Sequence, residues 1–280
     1  MRANDRQAGP GPVRRIMRAS MAWLIAIAGL YLAVLAALWW GQEWLIFQPQ
    51  RLPPHHRFDF GADVHERSIA IPGATLHALH LRLPAPRGVV FYLHGNAGNL
   101  EGWFSDLDFY RDANVDLFMI DYRGYGKSSG RIASEAQLHA DVRAAWDSIA
   151  GAYAGRKVVL LGRSLGSALA AQLALAVQPD LTVLVSPYSS MRALAAEHYP
   201  WVPAAVLRYP LHTDTAVARL RSPVLLLHGE RDTLIAPTHS EALQRVNPAA
   251  RFRLIRGADH NDLQAFGDYH AALREALDAM

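Results

Sequence analysis

Residues 19–42 carry no charged side chain, and residues 21–40 are apolar at every position except Gly29. As a helix rising 1.5 Å per residue, such a run reaches about 30 Å, the thickness of a bilayer's hydrocarbon core. Eight of its positions are Leu, Ile or Val. At about −0.3 to −0.6 kcal/mol each they favour insertion by roughly 2.5–5 kcal/mol, with no buried charge opposing them. Trp39, Trp40 and Trp44 crowd the far end, where amphipathic rings prefer the membrane interface. A buried core helix would carry a polar stripe, and this run has none. A cleaved signal sequence has a shorter apolar region, about 7–15 residues. The small-residue site at Val34-Leu35-Ala36 is weak, and bulky tryptophans follow it. The pattern predicts an uncleaved single-span anchor.

Beyond the run the period changes. Residues 41–57 form a connector rich in Pro and His, and after it short apolar runs alternate with helix-period stretches. Strands are predicted at 68–71, 75–83, 89–93, 115–120, 158–161, 181–185, 224–227 and 252–255. Helices are predicted at 135–150, 165–177, 238–246 and 264–279. Strands such as Val224-Leu225-Leu226-Leu227 have no polar face, which suits burial on both sides. Two leading strands followed by β-α alternation predict an α/β fold with a mostly parallel eight-stranded sheet flanked by helices. One domain over residues 58–280 is the simplest partition.

Composition sharpens this picture in two places. The chain has no cysteine, which excludes disulfide scaffolds, Cys-based metal sites, thiol catalysis and palmitoyl anchoring. Its pI of about 9.3 would suggest a nucleic-acid partner if the basic charge were spread over the fold. It is not spread. Residues 1–20 carry five Arg and one Asp, a net +4 against +3 for the whole chain, which leaves −1 for residues 21–280. The nucleic-acid reading falls away. The first basic residue past the apolar run is Arg51, so the positive-inside bias predicts a cytoplasmic tail at 1–20, an anchor at 21–40 and the bulk of the chain across the membrane.

In parallel sheets, reactive groups gather just past the carboxyl ends of strands. The predicted strand at 158–161 runs into Gly162-Arg163-Ser164-Leu165-Gly166 and then a helix opening with small residues. A nucleophile on a sharp strand-to-helix turn requires residues without side chains two positions to either side. Ser164 sits at that place. Chain order then demands an acid after a later strand and a histidine after the last. Asp232 follows the strand at 224–227, and His260 follows the strand at 252–255. His239 and His270 are the other histidines past Asp232 and fall inside predicted helices. A serine hydroxyl needs a base to take its proton, and the imidazole needs a carboxylate to hold its tautomer. The Gly-rich turn His94-Gly95-Asn96-Ala97-Gly98-Asn99 closes the strand at 89–93. The N–H of Asn96, or less favourably Ala97, together with that of Leu165 is the candidate oxyanion hole.

The sequence HGNAGN at 94–99, DYRGYGKSSG at 121–130, GRSLG at 162–166, HGERDTLIAP at 228–237 and GADHND at 257–262 appears in that order. It resembles the α/β-hydrolase superfamily, and more narrowly its membrane-anchored, esterase-like branch, of bud-emergence or serine-aminopeptidase type. The resemblance runs from Gly88 to the C-terminus. It implies Ser164 as nucleophile, Asp232 and His260 as its partners, an acyl substrate, small or lipid, and no cofactor. One departure is Asp259, where a small residue is usual before the histidine; a carboxylate there would compete for His260 or raise its pKa. A peptidase on the same residues, and a tethered scaffold without catalysis, are the rival readings.

Other features carry plainer expectations. Gly126-Lys127-Ser128 lacks the glycine of a phosphate-binding loop, since Asp121 stands five positions before Gly126. His77 and His80, three apart on a strand, point to opposite faces and do not share a metal. His55 and His56 read as solvated, and Arg163 as exposed on its turn. Residues 188–215 are too long for an ordinary loop and read as a short cap over the nucleophile, with Tyr188, Trp201 and Tyr209 as candidate substrate contacts.

Overall fold

The computed structural model describes residues 12–280 and divides the chain into two units, 1–42 and 43–280. Most of the tail predicted at 1–20 lies outside the described residues. Helix α1 (Pro12–Ile46) contains the apolar run, with mean hydropathy 2.3 and none of that window buried. By length and composition it is long and apolar enough to cross a membrane.

The second unit follows from two periods. In chain order its strands are β1 (Gln48–Pro49), β2 (Val64–Ile71), β3 (Ala74–Leu81), β4 (Gly88–Leu93), β5 (Ala97–Gly98), β6 (Asp116–Ile120), β7 (Lys157–Arg163), β8 (Leu181–Val185), β9 (Val224–Gly229) and β10 (Arg251–Ile255). The helices are α2 (Leu100–Trp103), α3 (Leu107–Asp112), α4 (Glu135–Ala150), α5 (Leu165–Val177), α6 (Met191–His198), α7 (Thr213–Val217), α8 (Thr238–Val246) and α9 (Gly267–Asp278). Eight strands form one sheet in the order β10-β9-β8-β7-β4-β6-β3-β2. β2 and β3 run antiparallel, and the six from β6 to β10 run parallel. The expected α/β-hydrolase architecture is present, with all eight predicted sheet strands in place.

Strand period 2 sorts each strand's side chains between two cores. Val89, Phe91 and Leu93 of β4 join α4 and α5 on one face, whereas Val90 and Tyr92 join α3 and α9 on the other. Every residue of β4, β6, β8 and β9 is buried, which is why these strands lack a polar face. The edge strand β10 instead carries Arg251 and Arg253, paired with Glu275 at 3.1 and 3.4 Å; charge on an edge discourages further strand pairing.

β4 lies between β6 and β7, so the chain leaves it in one direction for β6 and returns past it for β7. The crevice at the carboxyl ends of β4 and β7 is the topological switch point of this sheet. In the register there, Leu93 stands opposite Gly162.

Candidate functional site

Ser164 sits between β7 and α5 with φ +51° and ψ −117°. This left-handed backbone costs a non-glycine residue about 1–3 kcal/mol, and such strain is tolerated where surrounding structure enforces it. The two flanking glycines allow the turn. A Cβ on Gly162 would lie 2.2 Å from the Gly166 carbonyl oxygen, and one on Gly166 would lie 1.9 Å from that of Leu93. Only glycine lets α5 approach β4 and β7 this closely.

The other two predicted residues converge on this serine from far along the chain. His260 Nε2 lies 3.1 Å from Ser164 Oγ, and His260 Nδ1 lies 2.7 Å from Asp232 Oδ2. The partners assign the tautomer: Nδ1–H donates to the carboxylate, and the Nε2 lone pair faces the hydroxyl. All three residues are buried. Asp232 Oδ1 also accepts the backbone N–H groups of Leu234 and Ile235 at 3.0 and 2.8 Å. Burial alone would raise the pKa of Asp232. Hydrogen bonds from His228, His260 and the Ile235 N–H outweigh it and hold the carboxyl well below its usual range.

Asp259 does not compete for the imidazole. Its carboxylate accepts the backbone N–H of His260, so it fixes the loop rather than the ring. His239 lies elsewhere, its Nδ1 3.0 Å from Ser189 Oγ and its Nε2 3.2 Å from Glu197. His270 packs against Phe109 and Tyr269.

The turn after β4 comes beside the serine. An added Cβ on Gly95 would lie 3.8 Å from the Ser164 Cβ. The Asn96 carbonyl accepts from Gln48 N–H at 2.9 Å and from Tyr125 O–H at 2.6 Å, and the Asn96 side chain donates to the Ile46 carbonyl at 3.2 Å. The N–H of Leu165 opens α5 and belongs to the set that a helix leaves without an internal partner. Trp103 donates to the Ala97 carbonyl at 2.7 Å and stacks on His94, bracing the same turn.

Several sequence expectations change. Arg163 is buried, not exposed: it donates to the His260 carbonyl at 2.8 Å and lies over the Trp103 ring at 5.2 Å. It ties the histidine loop to Trp103, which braces the turn after β4. Tyr188 and Tyr209 are core residues; the Tyr209 hydroxyl donates to Glu43 at 2.8 Å, and Tyr188 O–H points to the Leu165 carbonyl at 3.4 Å. Trp201 is 51% exposed. Residues 188–215 form α6, one short 3₁₀ turn and the start of α7. His56 pairs with Glu101 instead of being merely solvated. Residues 48–52 of the connector are hydrogen-bonded to 96–98 and 126.

Others stand as read. His77 bonds Glu66 at 2.8 Å while His80 bonds Tyr153 at 2.7 Å, on opposite faces of β3. Lys127 pairs with Glu66, and Ser128 Oγ donates to the Asp121 carbonyl while accepting the His77 N–H, so that loop is a structural turn. Sequence reasoning missed His228. Its Nε2–H serves the Ile235 carbonyl at 2.7 Å and leans on Asp232 Oδ2 at 3.3 Å, while its Nδ1 takes the Ser240 hydroxyl at 2.7 Å. The signal was the spacing of four between His228 and Asp232.

Comparison with known proteins bears on the family and the fold. The family described as serine aminopeptidase, S33, matches residues 84–213. Alpha/beta hydrolase domain-containing protein 17B of Xenopus laevis is 30% identical over 198 residues, covering 69% of this chain and 67% of its own length. An uncharacterized protein of Mycobacterium tuberculosis is 35% identical over 181 residues, covering 62% of this chain and 63% of its own. Among solved structures, an esterase of Pyrococcus furiosus superposes with a TM-score of 0.66 at 17% identity, over 84% of this chain and 97% of its own. The thioesterase domain of the curacin biosynthetic pathway does so with a TM-score of 0.57 at 15% identity, over 78% and 99%. Motif order, sheet topology and these relatives agree: the chain belongs to the α/β-hydrolase superfamily.

Proposed function

We propose that this protein is a membrane-anchored serine hydrolase that cleaves carboxylic-ester or thioester acyl bonds. The observation that carries the reading is the hydrogen-bonded relay from Ser164 Oγ through His260 to Asp232, at 3.1 and 2.7 Å. In the first half-reaction Ser164 Oγ attacks the acyl carbonyl while His260 Nε2 takes its proton. Asp232 keeps Nδ1–H in place and stabilises the imidazolium that results. The N–H groups of Asn96 and Leu165 receive the developing oxyanion; loss of one such donor typically costs about 10²–10³ in turnover. His260 then returns the proton to the leaving oxygen or sulfur, leaving an acyl-serine. Water, deprotonated by the same imidazole, releases the acid.

The resemblance to the serine aminopeptidase family favours one second reading, amide cleavage by the same groups. Parallel assays with short acyl esters, acyl thioesters and aminoacyl anilides separate the two. The expected result is turnover of esters or thioesters at least about tenfold above anilides, falling by about 10⁴-fold or more in Ser164→Ala. Faster turnover of anilides would establish the peptidase, and turnover unchanged in Ser164→Ala would remove both.

The anchor is the second part of the proposal. Its support is α1, with mean hydropathy 2.3 in its apolar window, and the five arginines that precede residue 21. The protein is expected to remain with the membrane through alkaline carbonate washing. Protease added to intact spheroplasts is expected to digest the domain and spare the N-terminal tail; protection of the domain would reverse the orientation.

A further inference from the structure

The segment that leads out of the long helix does more than tether. β1 pairs in parallel with β5, Gln48 opposite Ala97 and Pro49 opposite Gly98. Gln48 N–H donates to the Asn96 carbonyl at 2.9 Å, and Gln50 N–H donates to that of Gly98 at 3.0 Å. Two side chains of the turn reach back: Asn96 Nδ2 to the Ile46 carbonyl at 3.2 Å and Asn99 Nδ2 to that of Gln50 at 3.0 Å. On its other side the segment is held by the Tyr125–Gly126 turn, where Gly126 N–H donates to Gln50 and Leu52 N–H donates to Gly126, both at 2.9 Å. Phe47 is buried edge-on against Tyr209 at 5.1 Å, and Glu43 accepts from Tyr209 and pairs with Arg208 at 2.7 Å.

We infer that residues 43–52 are a positioning strap for the oxyanion turn, so that the catalytic apparatus begins at Glu43 and not after the connector. The inference rests on the proposed hydrolase reading, because it assigns the strap to the donor at Asn96. Asn96 is the residue the strap controls most directly. Gln48 and Tyr125 together hold its carbonyl and Ile46 holds its side chain, so two of the groups around its Cα are fixed. Its N–H lies in the preceding peptide plane, whose carbonyl, that of Gly95, takes His94 Nδ1–H at 2.7 Å. An oxyanion donor works by being fixed before charge develops, with no reorganisation in the transition state. A turn released from the strap keeps its sequence and loses that fixed aim. The same segment also holds Arg208 and Tyr209 through Glu43.

Backbone substitution in the full-length protein tests this. Gln48 has an exposed side chain; proline at 48 removes the N–H that serves Asn96 and also fixes φ there and restricts Phe47 before it, which is why the melting temperature is read beside the rate. On a short water-soluble ester, Gln48→Pro is expected to lower kcat, and the rate of fluorophosphonate reaction with Ser164, by about 10-fold or more, up to the value of a lost donor. KM should stay within about twofold and the melting temperature within a few degrees. Gln48→Ala keeps the N–H and should retain a kcat well above that of Gln48→Pro. Asn96→Ala frees the turn from Ile46 by an independent route and should lower kcat in the same direction. Wild-type kcat in Gln48→Pro, or a loss of kcat in step with lost thermal stability, would overturn the strap. If Gln48→Pro does not fold, Asn96→Ala decides: unchanged kcat refutes the inference and reduced kcat at unchanged KM supports it. A wild-type protein that neither turns over esters nor reacts at Ser164 would instead refute the hydrolase reading.

Discussion

At the scale of single residues, the buried Asp232 carries a pH dependence. Its folded pKa lies below the usual carboxylate range, so the unfolded state binds the proton first as pH falls. Its contribution to stability is therefore full above about pH 5 and is lost as pH drops through the unfolded value towards the folded one. Thermal melts from pH 7 to pH 3 should show wild type losing stability more steeply than Asp232→Asn below about pH 5. Parallel curves would show that the charge contributes nothing to folding. Ser164, Asp232 and His260 were legible in the sequence because each follows a strand end and the order is constrained. Arg163, His228 and Gln48, which hold them or the turn beside them, were not. Arg163 acts on a carbonyl 97 residues away and Gln48 on one 48 residues away, and a backbone contact between distant loops leaves no periodic trace in either segment.

At the scale of elements, periodicity located three helices at their observed bounds, 135–150, 165–177 and 238–246. It failed where elements are short. β1, β5, α2 and α7 have two to five residues, too few for a period to register, and they owe their form to tertiary hydrogen bonds. The last helix begins at Gly267 rather than 264 because a 3₁₀ turn, Leu263–Ala265, precedes it. The approach of α5 to β4 leaves no room for a side chain at Gly166. Gly166→Ala would drive a methyl to within 1.9 Å of the Leu93 carbonyl, and backbone cannot yield as a side-chain tip can. The expected cost is several kcal/mol, beyond the ordinary overpacking range of about 1–3 kcal/mol, seen as insoluble expression or a melting temperature lowered by many degrees. Gly102→Ala, where nothing lies within 4 Å of the new carbon, is the matched control and should be nearly neutral.

At the scale of the whole molecule, the excess positive charge belongs to the residues before the apolar run, and the remaining chain is close to neutral. The long helix and the α/β unit are the two parts of the proposal, an anchor and an acyl-transferring site, and the strap at 43–52 begins where the second unit begins. The proposed chemistry passes through one atom, Ser164 Oγ. The most direct measurement is reaction of the full-length protein with a fluorophosphonate probe, followed by peptide mapping. A single phosphonylated residue, Ser164, is expected, with labelling abolished in Ser164→Ala and slowed by orders of magnitude in His260→Ala. Equal labelling of wild type and Ser164→Ala, or modification mapped to another residue, would contradict it.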